Sequence, residues 1–99
     1  MRQKERTTDT VIRTDSVRDR DICYRYELIM KEGEGVANWR IPLYTVRVYM
    51  TDQHGVTTMG DVKDIFADAG KAIIFYEKIV RNLATPIDLV YILEDDLCP

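Results

Sequence analysis

Two cysteines, one histidine, one serine and a run of three acids are the side chains on which catalysis or metal binding in this 99-residue chain would rest. A thiol nucleophile needs a base and a positive neighbourhood to hold it as thiolate. Cys98 instead follows Glu94, Asp95 and Asp96, and Cys23 lies between Ile22 and Tyr24 in a strand-like run, so both read as structural or incidental thiols. Their separation of 75 positions is neither a disulfide framework nor a zinc spacing. His54 stands without a second histidine, and a zinc or copper site therefore lacks ligands. Ser16 lies in a polar N-terminal stretch with no base, which excludes a serine nucleophile. Gly33, Gly35, Gly55, Gly60 and Gly70 never fall at the spacing of a phosphate-cradling loop. The run Glu94-Asp95-Asp96 is the most chemical-looking cluster, yet adjacent helical residues point about 100° apart and do not converge on a cation. It reads as a solvated helix end, with a partner-facing acidic patch as the alternative.

Tyr24 and Tyr26 invite comparison with the stacking aromatics of RNA-binding sheets, with Arg25 and Arg47 as phosphate holders. Parity argues against it. The tyrosines share a face with Leu28 and Met30, whereas Arg25 and Arg47 fall on the opposite one with Glu27 and Tyr49. Arg25, Glu27, Arg47 and Tyr49, together with Trp39 in a Gly-rich connection and the acids Glu94, Asp95 and Asp96, form the candidate partner interface. Trp39 reads either as packing over a sheet edge or as a binding anchor.

Charge and hydropathy narrow the class. Fourteen basic and 17 acidic residues give a net charge of −3, and the mean hydropathy is −0.27, as in a globular chain that does not seek polyanions. No stretch approaches the roughly 18 to 20 apolar residues of a membrane span, and no apolar run follows the basic start, so the expected location is the cytoplasm. Residues 1–20 hold six basic and four acidic residues but only Met1, Val11, Ile12 and Val17 as apolar side chains. Such a segment cannot offset a backbone ordering cost of ~1 to 2 kcal/mol per residue. It is expected to be a mobile tail ahead of a single domain over 21–99, the alternative being a short strand around Val11 or an arm that orders on a partner.

Within the domain, Ile22, Tyr24, Tyr26, Leu28 and Met30 alternate with polar neighbours, as a half-buried strand requires. A long hairpin connection over Lys31 to Ile41 leads to Pro42, and a second strand runs from Leu43 to Thr51 with Tyr44, Val46, Val48 and Met50 on one face. Asp52-Gln53-His54-Gly55 supplies a turn, and a third strand covers Val56 to about Val62. The period then changes. Asp68 suits an N-cap, and Ala69, Ala72, Ile73, Tyr76, Ile79, Val80 and Leu83 trace one apolar stripe. Thr85-Pro86-Ile87-Asp88 opens a second helix, with Leu89, Val90, Leu93 and Leu97 as its apolar face. The expected fold is α+β, a three-stranded antiparallel sheet followed by two helices packed on one face.

From about Tyr44 to Leu97 the chain resembles a family of short, uncharacterised bacterial proteins, common in Gram-positive genomes and known as a domain of unknown function. The resemblance rests on the strand Tyr44 to Met50, on Val62-Lys63-Asp64-Ile65-Phe66, and on the closing run from Thr85 to Leu97. It implies a small α+β domain and carries no activity, cofactor or site residue. Residues 1–20 and the Gly33 to Asn38 connection lie outside it.

With nucleophile, metal set and phosphate loop missing, the function expected from sequence is a non-catalytic interaction or regulatory module without a cofactor. Its partner would be a second copy or another protein. The sheet face opposite the helices mixes Cys23, Ile29, Leu43 and Tyr49 with Arg25, Glu27, Thr45 and Arg47. A two-fold contact there would let Arg25 or Arg47 meet Glu27 of a second copy, unless the N-terminal segment or the Trp39 connection covers the face. The rival reading is a small-molecule or enzymatic pocket between sheet and helices, using Tyr44, Tyr76 and Tyr91 with nearby carboxylates.

Overall fold

The structure, a computed structural model, describes residues 9–34 and 40–97. Four strands precede two helices: β1 Asp9–Asp19, β2 Ile22–Glu34, β3 Arg40–Thr51, β4 Thr57–Phe66, α1 Ala69–Arg81 and α2 Asp88–Leu97. The strands form one antiparallel sheet in the order β1-β2-β3-β4, so each pairs with its sequence neighbour. The sheet therefore has four strands where the sequence leads one to expect three.

The additional strand is β1, built from the segment expected to be a tail. Few of its side chains are apolar, but its backbone pairs with β2 from Asp9↔Lys31 to Asp19↔Ile22, and ladder hydrogen bonds do not require apolar side chains. The turn is Arg20-Asp21, with Arg20 in the left-handed region at φ 59°. A turn of this kind ordinarily announces itself by Gly or Asn, and here neither is present. Residues 1–8 lie outside the described set. β2 and β3 both run further into the hairpin connection than the alternation indicated, pairing from Cys23↔Thr51 to Glu34↔Arg40.

Parity on β2 and β3 is as expected. Tyr24, Tyr26, Leu28, Tyr44, Val46 and Val48 are buried on the helix side, and Val62 of β4 joins them. α1 lays Ala72, Phe75, Tyr76 and Ile79 on this surface. Phe75, which packs 5.6 Å between ring centroids from Phe66, takes the inward place expected for Ile73. Asp68 caps α1 by accepting from the Lys71 N–H at 3.0 Å. At the other end Ala84 N donates to Ile79 O and Leu83 N to Val80 O, each at 3.1 Å, with Leu83 left-handed at φ 50°. This is the Schellman arrangement with leucine at the position glycine usually takes, so the stripe overshot the helix end by including Leu83.

Thr85 and Asp88 form the expected capping box. Thr85 N donates to Asp88 Oδ2 at 3.0 Å and Asp88 N to Thr85 Oγ1 at 3.3 Å. On α2, Leu89 is fully buried and Ile92 and Leu93 pack at the core's margin, while Val90 is 50% exposed. Val90 is thus not part of the inner face. The connection before α2 lies tightly on β4, where a Cβ added at Gly60 would stand 2.8 Å from Pro86 Cβ and 2.9 Å from Pro86 O. No helix among the described residues is long and apolar enough to cross a membrane.

Candidate functional site

Both helices pack on one face of the sheet, and antiparallel register arranges the side chains of the other face in rows. Across the middle run Thr14, Glu27, Arg47 and Asp61, paired in turn between neighbouring strands. The next row holds Ser16, Arg25, Tyr49 and Met59, and the next Arg18, Cys23, Thr51 and Thr57. Four of the residues proposed from sequence as a partner interface, Arg25, Glu27, Arg47 and Tyr49, therefore lie together. Glu94 does not join them, being exposed on α2 in the layer behind the sheet. The side chains of Asp95 and Asp96, and all of Trp39, lie outside the described residues.

The charges on this face are matched largely within the chain. Arg25 Nη2 stands 3.7 Å from Glu27 Oε2, and Arg47 Nε 3.5 Å from Asp61 Oδ2. Arg47 Nε is buried and has no hydrogen-bond partner, so its link to Asp61 is one of charge rather than of a formed hydrogen bond. Contact with the Tyr49 side chain holds the Arg47 guanidinium above its ordinary pKa; burial opposes this, and Tyr49, Asp61 and Glu27 add to it electrostatically. The Arg25 guanidinium lies 4.5 Å above the centre of the Tyr49 ring. Arg25 and Arg47 thus each have an acid in their own chain, so a contact with Glu27 of a second copy would add to these pairs rather than supply a missing one. With Arg25 exposed, its pair with Glu27 is of the kind worth ~0 to 1 kcal/mol, and its main effect is to order the side chains.

Towards the far end of the face Ile29 and Thr45 are buried although no helix covers them. Lys31, Arg47, Lys63 and Asp64 line a small cavity together with them. Lys31 Nζ reaches Asp64 Oδ2 at 3.2 Å, and the Asp64 N–H donates to Thr45 Oγ1 at 3.0 Å. Asp64 occupies the left-handed region at φ 53°, where β4 carries its register shift against β3.

At the hairpin end the face stays bare. A groove of about 540 Å³ opens there between β1, β2, β3 and β4, with Arg18, Cys23, Arg25 and Tyr49 among its walls. The Thr51 and Thr57 hydroxyls close one side, 2.8 Å apart. Sequence reasoning missed Ser16, Arg18 and Asp61 as members of this face. The first two lay in the supposed tail, and Asp61 was legible only by extending parity into β4.

The residues of the rival pocket are not assembled. Tyr44 and Tyr76 are core side chains, and Tyr91 is 64% exposed on α2. Among the described residues no three His, Cys, Asp or Glu side chains gather as metal ligands would.

A model of a family of unknown function, DUF6514, matches residues 5–98. The match reaches well beyond the span 44–97 that the sequence patterns picked out, taking in β1 and the β2–β3 connection. No curated protein and no solved structure matches the chain.

Proposed function

Because the chain belongs to DUF6514, a family of unknown function, we propose from the geometry that it is a small non-catalytic interaction module working through the open face of its sheet. The observation that carries this reading is the one-sidedness of the sheet. Both helices serve one face, while on the other Cys23 and Met59 stand exposed among Arg25, Tyr49 and the Glu27-Arg47-Asp61 row, with no described element over them. An apolar and charged mixture of this sort suits a contact that forms and dissolves better than it suits a permanent core.

A second copy is the first partner to test. A two-fold axis passing between Glu27 and Arg47 would set each opposite the other in the second copy, which makes the centre of the face self-complementary in charge. The proposal carries no cofactor and places the domain in the cytoplasm, where an unpaired thiol such as Cys23 stays reduced. Sedimentation velocity at micromolar concentration tests it. The expected result is a dimer that Tyr49→Lys splits into folded monomers. A strict monomer whose Tyr49→Lys variant is equally stable would sink self-association.

A further inference from the structure

We infer that the groove at the hairpin end of the open face is a binding site for the phosphate group of a small phosphate monoester. This goes beyond the interaction reading and does not depend on it. The two ends of this one face differ in how their charges are matched. At the far end Lys31 is paired with Asp64 and Arg47 with Asp61, and Lys63, although in no ion pair among the described residues, shares its cavity with Asp64. At the groove end Arg18 makes no ion pair among the described residues, Arg25 has only the 3.7 Å approach of Glu27, and no carboxylate lines the walls. Two guanidiniums facing one cavity without a lining acid leave an excess of positive charge in a chain whose net charge is −3.

Register brings the two together. Arg18 lies opposite Cys23 and Ser16 opposite Arg25, so Arg18 and Arg25 are diagonal neighbours on adjacent strands of the same face. Arg25 is already held in place, since its guanidinium lies 4.5 Å over the centre of the Tyr49 ring. Ser16 and Tyr49 supply hydroxyl donors beside them. In the Thr51–Thr57 pair one hydroxyl donates to the other, and the acceptor keeps its own proton free to donate outward.

This donor set selects among anions. A planar carboxylate is saturated by a single guanidinium fork, whereas a tetrahedral dianion offers several peripheral oxygens to two forks and the surrounding hydroxyls. The volume of about 540 Å³ falls within the range of small-molecule sites and leaves space for an organic body beyond the phosphate. Asp19, Asp21 and Glu27 flank the basic residues along the chain, which favours a single phosphate over an extended polyanion.

The test is a titration of the full chain followed by amide NMR, with sodium phosphate, acetate and ribose 5-phosphate compared at constant ionic strength. The expected result is saturable shifts at Arg18, Cys23, Arg25 and Thr51, with ribose 5-phosphate binding more tightly than inorganic phosphate and acetate leaving the site unmoved. Arg18→Gln with Arg25→Gln should weaken binding by about tenfold or more, while Arg81→Gln, on the last turn of α1, should not. Arg18→Gln alone keeps the test independent of folding, because that side chain holds nothing in place. Shifts that follow ionic strength only, that spread over all basic residues, or that survive the double variant would overturn the proposal. So would equal binding of inorganic phosphate and ribose 5-phosphate, or tighter binding of a single-stranded oligonucleotide than of either.

Discussion

The Tyr76 hydroxyl on α1 donates a hydrogen bond of 2.8 Å to Asp15 Oδ2 on β1, joining residues 61 positions apart. Tyr26 O is a second, longer acceptor at 3.2 Å. Around this bond Arg13 Nη1 meets Glu77 Oε2 at 2.9 Å, and the Arg13 guanidinium lies 5.3 Å over the Tyr76 ring. Hydrogen bonding to Glu77 first, and the charges of Asp15 and Glu77 after it, hold the Arg13 pKa above its ordinary value against desolvation. The helix-facing side of β1 is therefore a polar clasp on α1. Tyr76→Phe leaves Asp15 without its buried donor and should cost about 1 to 3 kcal/mol in urea denaturation, with faster amide exchange along β1. Unchanged stability and unchanged exchange would show that the clasp holds nothing.

Truncation gives a sharper test of β1. Composition alone predicts that deleting residues 1–19 leaves the fold intact. With β1 paired along β2, the deletion would uncover Tyr24 and Tyr26 and turn β2 into an edge. The truncated chain should lose its near-ultraviolet circular dichroism or aggregate. A cooperative, soluble truncation with the full-length melting temperature would restore the tail reading.

Alkaline pH should unfold the protein through two tyrosines. Burial pushes the Tyr26 hydroxyl far above its usual pKa, with Tyr24 and Asp88 adding to it, and it pushes Tyr76 likewise, reinforced by the hydrogen bond to Asp15. The folded state holds these protons more tightly than the unfolded chain. The resulting stabilisation is complete below the unfolded tyrosine pKa of about 10 and is lost as pH rises above it. Denaturant titrations should show stability falling above about pH 10 by up to ~1.4 kcal/mol per pH unit for each tyrosine. Tyr76→Phe should remove its share of that slope; an identical slope in the variant would contradict the assignment.

Of Gly55, Gly60 and Gly70, Gly60 is the one with least room for a methyl group. Because the nearest atoms to an added Cβ include the Pro86 backbone oxygen at 2.9 Å, relief requires moving the connection between the helices. Gly60→Ala should cost about 1 to 3 kcal/mol. Gly55→Ala serves as a contrast, since no atom lies within 4 Å of its added Cβ and its penalty comes only from a φ of 82°. Equal stability of Gly60→Ala and the parent chain would mean that the Pro86 connection is loosely seated.

Local physics made much of this protein legible from the sequence. The inward faces of β2 and β3 follow from the two-residue period of a strand, and α1 and α2 announce themselves through Asp68, Thr85 and Asp88, whose capping bonds span three residues. The same parity is enough to place Arg25, Glu27, Arg47 and Tyr49 on a common face. Such features depend on neighbours within a turn or a pleat, and the order of residues along the chain carries them directly.

What only the tertiary structure decided are the features whose partners lie far away in the chain. The inward positions of β1 are filled by Arg13, Asp15 and Val17, a pattern that looks unfit for a core until Glu77 and Tyr76 arrive from α1 to meet the first two. A register shift between Val11 and Arg13 further breaks the alternation that would have marked the strand. The pairing of Arg47 with Asp61, the burial of Ile29 beside Lys31, Arg47 and Lys63, and the diagonal placement of Arg18 and Arg25 depend on register between strands. No periodicity within one strand encodes that register, because it is set by turns and bulges whose chemistry here, Arg20-Asp21 and the left-handed Asp64, departs from the usual glycine signals.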